Sequence, residues 1–378
     1  MITLNRKVLI KALADIKVKG DAIRTGAEVH NVLTFVSISG SAFAVITSIH
    51  VTKKIVFGRD TAVCSEDGAV SVEMKKLLAV LKLSKESLVT ISKEGVVYGQ
   101  DVLVREKTYK TLAQEYVASF ATEEEECNYL LSARTLDAIK RRVLPHVSED
   151  ETRYFLHGVM MSEEDNALRF CATNGRTLAV NNSGVYSNDQ IKSVIIKPET
   201  FDTVKNPKGF SLLEVKRRAI GTAIVSLKTS NDEYSLTTFV QEIDGQFPNY
   251  KRVIPDLGDK QITIDNESFL SALKTVHSLY KEKYPKGFFD VKKGKLTFSI
   301  VKPGADHNPK KRIDSTEIGF QITSCASFDN DETFILNYDY LESSLMDKVS
   351  TEMTFTEATS AFRIDDDDIT FVIMSMAF

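Results

Sequence analysis

A motif recurs three times along this chain of 378 residues. A domain-sized repeat constrains the fold more than any local signal does. The copies are "ITLNRKVLIKALADI" from Ile2, "LLSARTLDAIKRRV" from Leu130 and "ITIDNESFLSALKTV" from Ile262. Each opens on short apolar, strand-like residues and then offers a helix N-cap: Asn5, Ser132 and Asp265. At the fourth, seventh and eleventh places after the cap the residues are apolar in all three. They are Leu9, Ala12 and Ile16; Leu136, Ile139 and Val143; and Phe269, Ala272 and Val276. At ~100° per residue, each trio shares one helix face.

A second helix-like segment recurs once per period: "VEMKKLLAVLKL" from Val72, "IKPETFDTVKN" from Ile196 and "LNYDYLESSLMDKV" from Leu336. Leu77, Phe201 and Leu341 occupy matching places. Pro198 stands where a helix would begin and a missing N–H costs nothing. Between these segments the chain is β-branched and aromatic, with Gly and Asn-Gly punctuation, which predicts antiparallel strands. The expected class is α+β, in three repeated domains spanning 1–126, 127–254 and 255–378. Each has two helices backed by antiparallel β-sheets.

The net charge is −4, so any affinity for a polyanion must be local. The exposed side of the repeated helices supplies such charge. Lys7 and Lys11 lie opposite the apolar face of the first copy, and Arg134 and Arg141 opposite that of the second, with Lys140 and Arg142 beside them. Lys274 does so in the third, and Lys75, Lys76 and Lys82 extend the pattern to the second helix of the first domain. No zinc finger, helix-turn-helix or RNP motif accompanies them, so the expected contacts go to phosphates without reading sequence.

Other chemistry is thin. The cysteines, Cys64, Cys127, Cys171 and Cys325, are isolated and read as four reduced, buried thiols. The histidines are scattered, and no nucleotide-binding P-loop, zinc-protease or serine-hydrolase motif occurs. No catalytic residues, cofactor or metal are therefore expected. "IDDDDITF" from Ile364 reads as a polar hairpin turn, and "EEEE" at 123–126 as a solvated linker. No apolar run of about 18 residues or apolar signal core is present, so no membrane partner and a cytoplasmic location are expected.

One stretch resists this account. "EIDGQFPNYKRVIP" at 242–255 has no helical or strand period, yet it places Phe247 and Tyr250 among turn-formers and cations. A plain solvated loop has no need of two large aromatics.

Four pieces of sequence, in order, resemble the beta subunit of bacterial DNA polymerase III, the DNA sliding clamp. "TRYFLHGVMM" (152–161) resembles the family's R-Y-Y-L-N-G strand, and "ATNGRTLAV" (172–180) its A-T-D-G-H-R-L-A turn. "IDGQFPNYKRVIP" (243–255) resembles its G-x-F-P-D-Y-R-R-V-L-P loop, and "FVIMSMAF" (371–378) its terminus Y-V-V-M-P-M-R-L. The match is weakest in the first domain.

The resemblance implies a non-catalytic processivity factor. Each chain forms half of a closed ring, joined head to tail as a homodimer, with helices lining a hole around double-stranded DNA. A clamp-loader ATPase loads the ring, and a replicative DNA polymerase is tethered by it. The implied DNA-facing residues are Lys7, Lys11, Lys75, Lys82, Arg134, Arg141 and Lys274. The implied peptide-binding pocket for partners takes Leu156 from a strand and Thr173, Gly175, Arg176 and Leu178 from the Asn-Gly turn. It takes Pro248, Arg252 and Val253 from the irregular loop, and Val372 and Met374 from the last strand. In this reading Phe247 pins the loop. The dimer contacts fall on Val102, Leu103 and Val104, and on Leu279 and Tyr280. Some residues depart from the family: Arg176–Thr177 replace His-Arg, Asn174 replaces Asp, and Ser375 and Ala377 replace the terminal Pro and Arg. The competing expectation is a non-catalytic β-rich ring scaffold for DNA repair or other DNA-bound partners.

Overall fold

The structure is a computed structural model. It describes residues 1–17, 32–48, 51–83, 85–92, 95–98, 101–102, 125–187, 193–217, 222–279, 286–301, 316–328, 330–345 and 348–376. The chain gathers into two compact units, Met1–Leu136 with Ser187–Asp244, and Asp137–Tyr186 with Gly245–Phe378.

All three repeated helices form, and all three caps act as their side chains suggest. In α1 (Arg6–Asp15), the Asn5 side chain accepts from the amides of Lys7 at 3.0 Å and Val8 at 3.4 Å. At α3 (Ala133–Ala138), Ser132 Oγ accepts from Thr135 N at 3.1 Å. At α4 (Asn266–Leu279), Asp265 Oδ1 accepts from Ser268 N at 2.8 Å. Every residue of the three predicted apolar trios is buried. The second helices are α2 (Met74–Leu83) and α5 (Tyr338–Ser344), the latter capped by Asn337. In the second repeat the matching segment is a single 3-10 turn, Pro198–Phe201, which still buries Phe201.

In the first unit one sheet runs in the order Glu125–Leu131, Ser211–Arg217, Ile224–Ser230, Tyr234–Gln241, Val51–Phe57, Ser41–Thr47, Val32–Ile38, Gly68–Glu73. It therefore joins strands of the first and second repeats: Tyr234 pairs with Phe57 and Val240 with Val51. The expected linker is partly strand. Glu125 and Glu126 stand in register with Arg217 and Lys216. Residues 123 and 124 lie outside the described residues. Helices α1 and α2 lay Val8, Leu9, Ala12, Leu77 and Leu81 into the core of this unit. Lys53 is enclosed there, held by Asp202 at 2.8 Å and the carbonyl of Lys17 at 3.0 Å.

In the second unit a sheet runs through Val159–Glu164, Ala167–Thr173, Thr177–Tyr186, Ile369–Met374, Ala361–Asp366, Ser350–Phe355, Lys260–Asp265 and Ser324–Ala326. Strands of the second and third repeats meet at Leu178 opposite Val372. The third repeat is packed with aromatics. Phe289 stacks on Phe334 at 5.3 Å, and Phe334 and Phe355 each lie against Phe362.

Several expectations are corrected. The segment expected as the strand that carries Leu156 is a 3-10 turn, Glu151–Leu156, preceding the strand Val159–Glu164. Arg142 does not join the exposed cations. The chain after Ala138 continues as a π-turn over Ile139–Val143, so a 3.6-residue wheel no longer describes it. Arg142 turns inward, pairs with Asp366 and lies over the Phe371 ring at 5.0 Å. Asp366 belongs to the expected Asp-rich hairpin, Ala361–Asp366 to Ile369–Met374, yet it is buried and also paired with Lys348. The four cysteines are free, but only Cys171 is buried, and Cys325 is exposed.

Candidate functional site

The expected pocket residues converge on one face of the second unit's sheet. Leu178 pairs with Thr173 on one side and Val372 on the other, and Val372 pairs with Arg363. Directly paired residues share a face, so Thr173, Leu178, Val372 and Arg363 form a row across four strands. Leu178 and Val372 are buried in an apolar cluster with Met160, Cys171, Val180 and Tyr250, with Phe247, Ile254 and Ala361 packed against it.

The irregular loop lies over this row. A Cβ on Gly245 would stand 3.0 Å from Phe155 Cβ, and φ there is +147°. That close approach and left-handed backbone suit glycine. Tyr250 is buried and donates through its hydroxyl to Glu164 Oε1 at 2.9 Å. Burial, then the Glu164 contact, push its phenol well above its ordinary pKa. Lys251 and Arg169 reach the other oxygen of Glu164 at 2.9 and 2.7 Å. At the loop's end, Arg363 Nη1 donates to the Pro255 carbonyl at 2.8 Å. The aromatics of the loop therefore anchor it to the sheet.

The turn beside the row is equally built. Asn174 Oδ1 accepts from the amides of Arg176 and Thr177, each at 2.9 Å, which bends the backbone as an Asx turn does. Gly175 has φ +83°, and a Cβ there would meet Arg153 Nη1 at 2.7 Å. The Arg176 carbonyl accepts from Met374 N at 2.9 Å, which holds the chain's last strand to this turn. Arg176, Pro248, Arg252, Val253 and Met374 remain exposed. Leu156 is buried at the end of its turn but lies outside the apolar cluster. The turn is capped by Asp150, whose carboxyl is held down to about 2 by hydrogen bonds from Thr152 and Arg153. Residues missed by sequence reasoning are Met160, Cys171 and Val180. The period of two along Leu178–Val180 carries the signal for Val180, whereas Met160 and Cys171 join through strand register.

The expected DNA-facing residues, Lys7, Lys11, Lys75, Lys82, Arg134, Arg141 and Lys274, are all exposed on their helices or turns. Lys11 pairs with Glu233 at 2.9 Å and Arg141 with Asp137. Of the expected dimer contacts, Val102 lies in the edge strand Asp101–Val102 of a five-stranded sheet, and Leu279 ends α4 with its side chain exposed. Leu103, Val104 and Tyr280 lie outside the described residues.

This architecture is the DNA sliding clamp fold. The sliding clamp of Bacillus subtilis superposes over the whole chain with a TM-score of 0.78 at 15% identity, covering 99% of that chain. The Bartonella birtlesii clamp, solved bound to griselimycin, gives 0.76 at 18% identity, covering 100% of this chain and 99% of that one. No family model matches the chain. By sequence it is a homologue of the bacterial beta sliding clamps. It is 26% identical over 321 residues to the beta sliding clamp of Treponema pallidum, covering 82% of each chain. No helix among the described residues is long and apolar enough to cross a membrane.

Proposed function

We propose that this protein is a DNA sliding clamp, a processivity factor that encircles duplex DNA and tethers a replicative polymerase. The observation that carries this reading is the thrice-repeated capped helix, apolar inside and with exposed lysine or arginine on each copy, in a chain that has the clamp fold from end to end. Lysine and arginine on such faces meet phosphates without sequence preference, which permits sliding. In this reading the domains are 1–126, 127–254 and 255–378. Two protomers close head to tail, first domain to third, through the sequence segments Val102–Val104 and Leu279–Tyr280. The function is non-catalytic and cytoplasmic.

The row at Leu178 and Val372, walled by Pro248 and the exposed Val253 and Met374, is the docking pocket for a short peptide from polymerase and clamp loader in turn. Exposed apolar side chains accept Leu or Phe anchors, and Met374 adapts to several partners. Arg176 favours peptides with an acidic residue beside the anchor.

Loading onto nicked circular DNA by a clamp loader tests the reading. The protein should stay on circles through gel filtration and slide off once the DNA is cut to linear form. Equal retention on both would point to gripping rather than encirclement and would remove the clamp assignment.

A further inference from the structure

The sequence scatters the histidines and gives no metal motif, but the fold brings one of them to two carboxylates. His277, in the last turn of α4, meets Asp339 and Glu342 of α5. Its Nε2 lies 3.2 Å from Asp339 Oδ1 and 4.0 Å from Glu342 Oε2, and the three donor atoms all fall within 4.8 Å of one another. We propose that His277, Asp339 and Glu342 form a binding site for a divalent transition-metal ion of the zinc type, which clasps the end of α4 to α5.

The geometry fits such an ion. Zinc bonds nitrogen and carboxylate oxygen at about 2.0–2.2 Å. Three donors spaced as these are leave a central point within a few tenths of an ångström of that distance from each. One nitrogen and two oxygens from side chains also leave coordination positions for water, as an exposed three-residue site requires. The mixed set selects the class of metal. Imidazole suits zinc and its neighbours, whereas magnesium and calcium prefer oxygen alone.

A second observation, independent of the donor distances, concerns how the donors are held. The imidazole comes from a different helix than the carboxylates, and its ring lies against Tyr338 at 5.8 Å, which orients Nε2 toward them. Asp339 and Glu342 are three apart on α5 and so share a face.

Zinc chloride titrated into the intact, metal-stripped protein by calorimetry is the test. Saturable uptake near one ion per chain is expected, with at least a tenfold loss of affinity in His277→Ala and in Asp339→Asn. Zinc should raise the melting temperature of the parent protein and leave that of either variant unchanged. Because all three side chains are at least partly exposed, the metal-free variants should melt within a few degrees of the parent. A large excess of magnesium should not displace the zinc. Cobalt substituted at the site should give visible absorption bands that His277→Ala abolishes. Absence of saturable uptake overturns the proposal. Equal uptake by parent and both variants does so as well, since the ion would then sit elsewhere, for example at the exposed Cys325.

Discussion

The Tyr250 hydroxyl donates a 2.9 Å hydrogen bond to Glu164, and through it the irregular loop is tied to the strand Val159–Glu164 beneath it. Arg169 of the neighbouring strand and Lys251 of the loop bind the same carboxylate, so Glu164 is a polar anchor beside the apolar contact of Tyr250 with the Met160 cluster. Tyr250→Phe removes one hydrogen bond to a charged acceptor and should cost about 1–2 kcal/mol. Urea unfolding measures this directly. The docking loop should also be less ordered, so affinity for a Leu/Phe-containing peptide should fall severalfold. Unchanged stability in Tyr250→Phe would show that Arg169 and Lys251 suffice.

Reversing Lys7, Lys11, Arg134 and Arg141 to Glu should reduce retention on circular DNA and the stimulation of a polymerase. All four are exposed, so the fold should survive. Binding of the parent should weaken steeply with salt, and the variant's residual binding less so. Unaltered loading and processive synthesis would place DNA against other surfaces.

The pocket calls for separate probes of its floor and its rim. Leu178 is 2% exposed and Met374 is 46% exposed. Leu178→Ala opens a cavity and should cost about 2–5 kcal/mol of stability, so it confounds binding with folding. Met374→Ala should change stability by under about 0.5 kcal/mol. It should still weaken a peptide of roughly micromolar affinity, because a buried anchor contact contributes about 1.5–3 kcal/mol. Fluorescence titration against the polymerase's own peptide decides the matter, and unchanged affinity would remove Met374 from the pocket.

His146 predicts a pH response. It is fully enclosed, with Nδ1 2.9 Å from Thr177 Oγ1, Nε2 3.1 Å from Ser343 Oγ and the Phe371 ring at 5.5 Å. Burial lowers its pKa from 6.5 to about 3. Between those values the unfolded chain binds the proton and the folded chain does not. Its contribution is therefore full above pH 6.5 and is lost as pH falls toward 3, at ~1.4 kcal/mol per pH unit. Urea unfolding from pH 6.5 to 5, above the range of ordinary carboxylates, should show this slope. His146→Gln, which cannot titrate, should flatten it, and equal slopes in both proteins would assign the effect elsewhere.

A closed ring of two protomers predicts a mass in solution of twice the 42.2 kDa chain. Light scattering at micromolar concentration should give this value. A mass of one chain, with or without DNA, would count against the ring.

The three repeated helices were legible in the sequence because their determinants are local. Asn5, Ser132 and Asp265 bond to amides two or three residues away, and the apolar trios sit on a period fixed by the helix itself. The pocket was legible only as separate segments, through their resemblance to clamp motifs. That Leu178, Val372 and Tyr250 share one cluster depends on strand register and on a loop anchored far along the chain. Arg142 shows the same limit. The sequence places it among exposed cations, but a π-turn and a buried aspartate 224 residues later turn it inward. His277 meets Asp339 and Glu342 for a similar reason, since helix packing sets which faces adjoin. Short-range hydrogen bonds and periodicity are written in consecutive residues. Burial, ion pairing and the meeting of distant side chains depend on which surfaces the folded backbone brings together, and only the tertiary structure decided those.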